Sequence, residues 1–233
     1  MNNNNFWIVK MPRYAMIVFV LFNTIAMLAY PGGSVDNKLS LKEEGSQVGY
    51  SFFNNFFSDL GQTVSHSGDS NWVSFIFFNI SLCVIGLCFI MLFYKVGSIF
   101  NKYKTLSNIG TVCGILSGFC YIGVALTPSN VFLTWHIIFA EWIFRFLFIS
   151  SLICSILIFK TKDFDNKYAF SFIVFSIMVL AYIFISQFYL RDVRIYPEDL
   201  SAHVISQKMI AFWILISIYI YSKGVGQYLL KKI

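Results

Sequence analysis

Long apolar runs separated by short polar stretches dominate the chain. Six of them cover about 14–30, 72–94, 106–126, 131–159, 168–190 and 197–221. At 1.5 Å of rise per residue, about 20 apolar residues span the roughly 30 Å hydrocarbon layer of a bilayer. The first run is the shortest and the fourth the longest. Within lipid only helices and closed barrels satisfy their own backbone groups, and runs of this length specify helices. The pattern therefore predicts an all-α fold. It is a polytopic membrane protein, one domain over 1–233, built as a bundle of six transmembrane helices.

The polar stretches add detail. The longest, 31–71, is an outer loop with a pattern of its own: Phe52, Phe53, Phe56, Phe57 and Leu60 recur at helical spacing, and Gly61 follows as a stop. Asn54, Asn55, Ser58 and Asp59 take the other positions. This predicts a short amphipathic helix lying in the outer interface and holding Ser58 and Asp59 over the bundle. The first run follows Lys10 and Arg13, as a signal peptide would, but Ala26–Gly33 offers no A-x-A cleavage site. It is expected to be a retained helix ending at Pro31-Gly32-Gly33. Gly110, Gly114 and Gly118 on the third run form a small-xxx-small stripe for close helix packing. Pro197, Glu198 and Asp199 suit the first turn of the sixth helix.

Charge sets the orientation. One set of connections holds most of the 17 basic residues: Lys10 and Arg13; Lys95, Lys102 and Lys104; Lys160, Lys162 and Lys167; Lys223, Lys231 and Lys232. Its acids are Asp163 and Asp165. The positive-inside rule makes this set cytoplasmic, with both termini inside and 31–71 outside, as in a bacterial inner membrane. The rule also accounts for the net charge of +6 without nucleic acid as a partner. Only 12% of residues are charged and 58% are hydrophobic. A soluble domain carries about 25% charged residues, so lipid must cover this one. The five cysteines all fall in apolar runs as small hydrophobes, with no disulfide or metal spacing.

Against that background the polar residues inside the runs stand out. His136, Glu141 and Arg145 occupy the fourth run, where charge is costly and marks a partner or a cavity. Glu141 and Arg145 are four apart and are expected to form a structural ion pair along one helix face. His136 points elsewhere. It is grouped with Ser58, Asp59, Asn79, Gln187, Arg191, His203 and Gln207 as the lining of a polar pocket opening outward, for a lipid or small amphiphile. Arg194 shares the stripe of Gln187 and Arg191, and both arginines suit a phosphate or carboxylate. The alternative is a membrane-embedded lipid hydrolase or acyltransferase, with Asp59, His136 and His203 as acid–base candidates. Zinc held by His66, His136 and His203 is an alternative within it, although no cofactor is favoured and no HxxxH or HExxH pair occurs. A transporter is the third reading, without an internal repeat to carry it. No P-loop, G-x-S-x-G or dinucleotide fingerprint is present.

Several short motifs carry a resemblance. Ser58-Asp59-Leu60-Gly61 precedes the second run, with Asn71 and Phe78–Gly86 at and within it, followed by Gly123, Pro128 and His136. In these the chain, from about Phe52 onward, resembles a group of bacterial six-helix membrane proteins. That group is itself distantly similar to the FRAG/DRAM/Sfk-type membrane proteins. The resemblance implies a lipid-related role. The chain departs from the group in its longer, more polar first loop.

Overall fold

The computed structural model describes residues 6–35, 47–189, 192, 193 and 195–231. Among them the regular structure is helical, and two isolated bridges, Gly32 with Val48 and Val64 with Ser70, are the only β pairings. Five continuous helical stretches are long and apolar enough to cross a membrane: Phe6–Ala29, Trp72–Leu126, Leu133–Lys160, Lys167–Ile185 and Pro197–Leu230. The second is broken by a 3-10 segment, Ser98–Tyr103, in which Phe100 leaves helical geometry (φ −97°, ψ 43°). The α-helices are then α1 (Met11–Ala29), α2 (Trp72–Gly97), α3 (Lys104–Leu126), α4 (Leu133–Lys160), α5 (Lys167–Phe188) and α6 (Leu200–Leu230).

The break turns α2 and α3 into an antiparallel pair. Gly97 lies against Thr111, Phe93 against Gly114, and Gly86 against Gly118. The pairing is close because the side chains are missing: a Cβ on Gly86 or on Gly118 would stand 2.6 Å from the other's carbonyl oxygen. Gly110 instead faces Ile153 of α4, and its carbonyl accepts the Ser150 hydroxyl at 2.9 Å. One glycine stripe thus serves two neighbours. Lipid is as apolar as leucine, so such close approach and interhelical hydrogen bonds do the work that hydrophobic burial does in water. Between α5 and α6 the Ser171 carbonyl accepts both Ser217 Oγ (3.0 Å) and Trp213 Nε1 (3.2 Å).

The helices are neighbours in chain order around a ring, and α6 closes it against α1. The lysine-rich end is sealed by aromatic rings. Phe164 stacks between Phe100 (centroids 6.1 Å apart) and Tyr228 (4.9 Å). The other end is covered by the described residues between α1 and α2. There the expected amphipathic helix is replaced by a turn at 51–54 and a single 3-10 turn, Phe57–Gly61. Its two faces are also mixed. Phe52 and Phe53 are exposed, whereas Asn55 and Asp59 are buried together with Leu60. The cause is side-chain competition for the backbone. Asn55 Oδ1 accepts the Ser51 N–H (2.9 Å), and its Nδ2 donates to the Gly33 carbonyl (2.8 Å). Asp59 Oδ2 accepts the Phe56 N–H at 2.9 Å. These bonds take the groups that a continuous helix would have used.

Candidate functional site

The described part of the loop between α1 and α2 is bolted to the bundle from two sides. On one side Asn71 and Ser74, at the start of α2, donate to the Leu60 carbonyl (3.2 and 3.0 Å), and Asn71 also to that of Gln62 (2.8 Å). On the other side stands Lys208 of α6. Eight residues into the helix it lies about 12 Å below the helix start. It is buried at 4% exposure. Its Nζ donates to the carbonyls of Phe52 (2.5 Å) and Asn55 (2.6 Å). The rings of Tyr50, Phe52 and Phe57 surround it with centroids 5.0, 4.6 and 5.6 Å away. One residue earlier, Gln207 Oε1 accepts the Phe57 N–H at 3.0 Å. Irregular backbone is tolerated at this depth because protein, not lipid, surrounds it.

Beneath the loop is a cavity of about 70 Å³ enclosed by α1, α2, α3, α4, α6 and the 3-10 turn. One water needs roughly 10–15 Å³ on this measure, so the space suits a short length of chain or several waters. The walls are apolar: Phe19 of α1, Phe78 and Leu82 of α2, Tyr121 of α3, Ile143 of α4 and Leu215 of α6. Polar groups are carried by Ser58, His136 and Gln207, with the Tyr121 hydroxyl as a fourth, and no charged side chain lines the space. His136 is 5% exposed and its Nδ1 lies 2.6 Å from the Thr127 carbonyl. A carbonyl only accepts, so Nδ1 carries the hydrogen and Nε2 is left as an acceptor. Gln207 has its oxygen engaged by the loop, which leaves its amide N–H groups for the cavity.

Asp59 does not line this cavity. Its carboxylate is held within the loop by Phe56 N–H and by Asn55 and Gln62 (3.2 and 3.4 Å). His66 Nε2 lies 3.3 Å from Asp59 Oδ1 and 3.3 Å from Gln62 Nε2. The protonated imidazole donates to the carboxylate, and the neutral tautomer accepts from the amide. Tyr50 donates to the Asn55 and Phe56 carbonyls (3.0 and 3.3 Å). Burial first, and the nearby Asp59 charge second, push its phenol well above the ordinary range.

The structure therefore brings Ser58, His136 and Gln207 to one cavity and places the other predicted residues apart. Asp59 and His66 share the loop cluster. Asn79 and His203 do not line the cavity, and Asn79 Nδ2 is buried with no partner. The Gln187 side chain, Arg191 and Arg194 lie outside the described residues. His66 and His136 make separate contacts, and among the described residues no group of three metal-ligating side chains is placed to hold an ion. Glu141 and Arg145 pair at 2.7 Å, but on the outward face of α4 with side chains about half exposed, not inside the bundle.

Lys208, Tyr50 and Gln62 carry no expectation from the sequence, and Asn55 only a place on the polar side of the expected helix. For Lys208 a signal existed: it is the lone charge within the sixth apolar run past its first turn. Its partners are carbonyls of a loop some 150 residues away, which no residue pattern displays.

Apolar helices of this length define an integral membrane protein. More specifically, the chain belongs to the family described as protein of unknown function (DUF998), whose profile matches residues 44–221. That stretch takes in residues 47–71 of the loop between α1 and α2, α2 to α5 and most of α6. No curated protein and no solved structure matches the chain significantly. The comparisons thus give the likeness to FRAG/DRAM/Sfk-type proteins no support of their own.

Proposed function

We propose that this protein binds a single-chain lipid or similar amphiphile with an uncharged polar head in the cavity beneath its outer loop. The observation that carries the reading is the cavity itself. Apolar walls from five helices meet a hydroxyl, an imidazole acceptor and a carboxamide donor at one site, with no lysine, arginine or carboxylate among the lining side chains. In a low-dielectric site a phosphate or carboxylate head needs a cation, whereas a hydroxyl or carbonyl head is satisfied by such groups. In this reading α2 and α3 cross the membrane separately, giving six crossings in all. The lysine-rich end is cytoplasmic, the loop side is outside, and a bacterial inner membrane is the setting. Binding is favoured over hydrolysis or acyl transfer because Asp59 is committed to its own loop. It is favoured over transport because stacked rings close the opposite end.

Native mass spectrometry of detergent-purified protein tests this. Wild type should retain a neutral single-chain lipid. Ala211→Phe, which fills the cavity from α6, should lose it, and His136→Ala should weaken retention by about tenfold, one hydrogen bond's worth. Equal retention in all three proteins would place any bound lipid elsewhere.

A further inference from the structure

One face of α4 turns away from the rest of the chain along Ile138, Glu141, Trp142, Arg145, Ile149 and Leu152. The Glu141–Arg145 pair sits in its middle, with side chains 52% and 42% exposed. Arg145 stands about 18 Å of helix from Leu133 and about 22 Å from Lys160, at 1.5 Å per residue. The pair is therefore near the centre of the hydrocarbon layer, too deep for the arginine head to reach either interface. Arginine carries five N–H donors and a carboxylate several acceptor sites, but one bond joins the two here. Among the described residues neither side chain makes a further hydrogen bond, and the groups left over face lipid, which can satisfy none of them. Arg145 also lies 5.4 Å from the Trp142 ring, which holds the guanidinium on this face.

We propose that this face is the interface of a homodimer. The occupant is a second copy because the face is complementary to itself. Acid and base lie one helical turn apart on one stripe. A twofold axis along the membrane normal would lay two α4 helices side by side. Each Arg145 then comes within a turn of the partner subunit's Glu141, closing a ring of four charges with zero net charge. The flanking Ile138, Trp142 and Ile149 supply the apolar border that shields the ring.

The test uses the full chain in lipid nanodiscs. Cysteine placed at Ile138 or Ile149 should cross-link two copies on oxidation, and cysteine at Leu180, exposed on α5, should not. Differently tagged Glu141→Gln and Arg145→Gln proteins, expressed together, should co-purify about tenfold more than either variant with itself. Only the mixed pair keeps one Arg–Glu bond across the interface. Each substitution removes one charge and leaves its partner unpaired within its own chain, so thermal unfolding of each variant is measured to verify that it folds. A monomeric mass from nanodiscs, cross-linking that is equal at all three positions, or cross-linking only to a different protein would overturn the proposal.

Discussion

Replacing Lys208 by methionine removes the ammonium that ties the outer loop to α6 while nearly conserving volume. The carbonyls of Phe52 and Asn55 then lose donors now 2.5 and 2.6 Å away. Hydrogen bonds from a charged donor contribute about 1.5–3 kcal/mol each, and the three surrounding rings add about 0.5–2 kcal/mol. Against this stands the cost of holding an ammonium out of water, several kcal/mol, which the methionine avoids. What the variant cannot avoid is the Phe52 carbonyl left without its donor, at about 1–3 kcal/mol, while the Asn55 carbonyl keeps the Tyr50 hydroxyl. The expected loss is about 1–3 kcal/mol, localised to the loop. Every 1.4 kcal/mol is tenfold in an equilibrium, so amides of residues 55–60 should exchange about 5- to 100-fold faster. Hydrogen exchange followed by mass spectrometry reads this directly, with amides in the middle of α3 as the internal control. Unchanged exchange in the loop would show that the Asn71 and Ser74 bonds suffice, and that Lys208 is not what closes the cavity roof.

Other consequences follow from the same geometry. Gly118→Ala puts a methyl 2.6 Å from the Gly86 carbonyl, and backbone cannot move aside as a side chain would. A loss of about 1–3 kcal/mol is expected, seen as a lowered midpoint of thermal unfolding in detergent. Tyr50 holds its proton more tightly folded than unfolded, because burial and the Asp59 charge disfavour the phenolate. Its contribution to stability is thus complete below the unfolded value of about 10 and is lost as the pH rises through and above it. Unfolding midpoints measured from pH 8 to 11 should fall at the alkaline end in wild type and fall less in Tyr50→Phe. That variant starts lower because it gives up the hydroxyl's bonds to the Asn55 and Phe56 carbonyls.

The helices were legible because a membrane helix is apolar on every side that meets lipid, so a run of residues suffices without a face. Where the reading stopped short, polar residues had interrupted a run. The sixth was ended at 221, yet α6 continues to Leu230 through Lys223, Gly224, Gly226 and Gln227. Those residues pack: Gly224 against Tyr168, Gly226 against Val9, and Gln227 accepting the Tyr168 hydroxyl. The outer loop misled for the opposite reason. Its phenylalanine spacing is helical, but Asn55 and Asp59 bond the backbone and turn inward beside Leu60, while Phe52 and Phe53 turn out. At the site, Ser58, His136 and Gln207 were recognisable as polar residues at the level of the outer end. Asp59 and His203 belonged to the same level by the same logic, and only the tertiary arrangement separates the cavity from the loop cluster. The fourth-helix pair was legible as a pair, since i and i+4 fix the contact. Its outward direction depends on which neighbours α4 meets, and periodicity does not supply that.

The central claim is that the cavity under the outer loop receives the chain of a neutral amphiphile, head toward His136. A long-chain alcohol carrying a diazirine at mid-chain tests it most directly, photoactivated on the protein in nanodiscs and mapped by peptide sequencing. Adducts should fall on cavity-wall residues such as Leu82, Tyr121 and Ile143 and be abolished by Ala211→Phe. Adducts confined to lipid-facing residues such as Ile76, Ile80 and Leu87, at equal yield in wild type and Ala211→Phe, would contradict it.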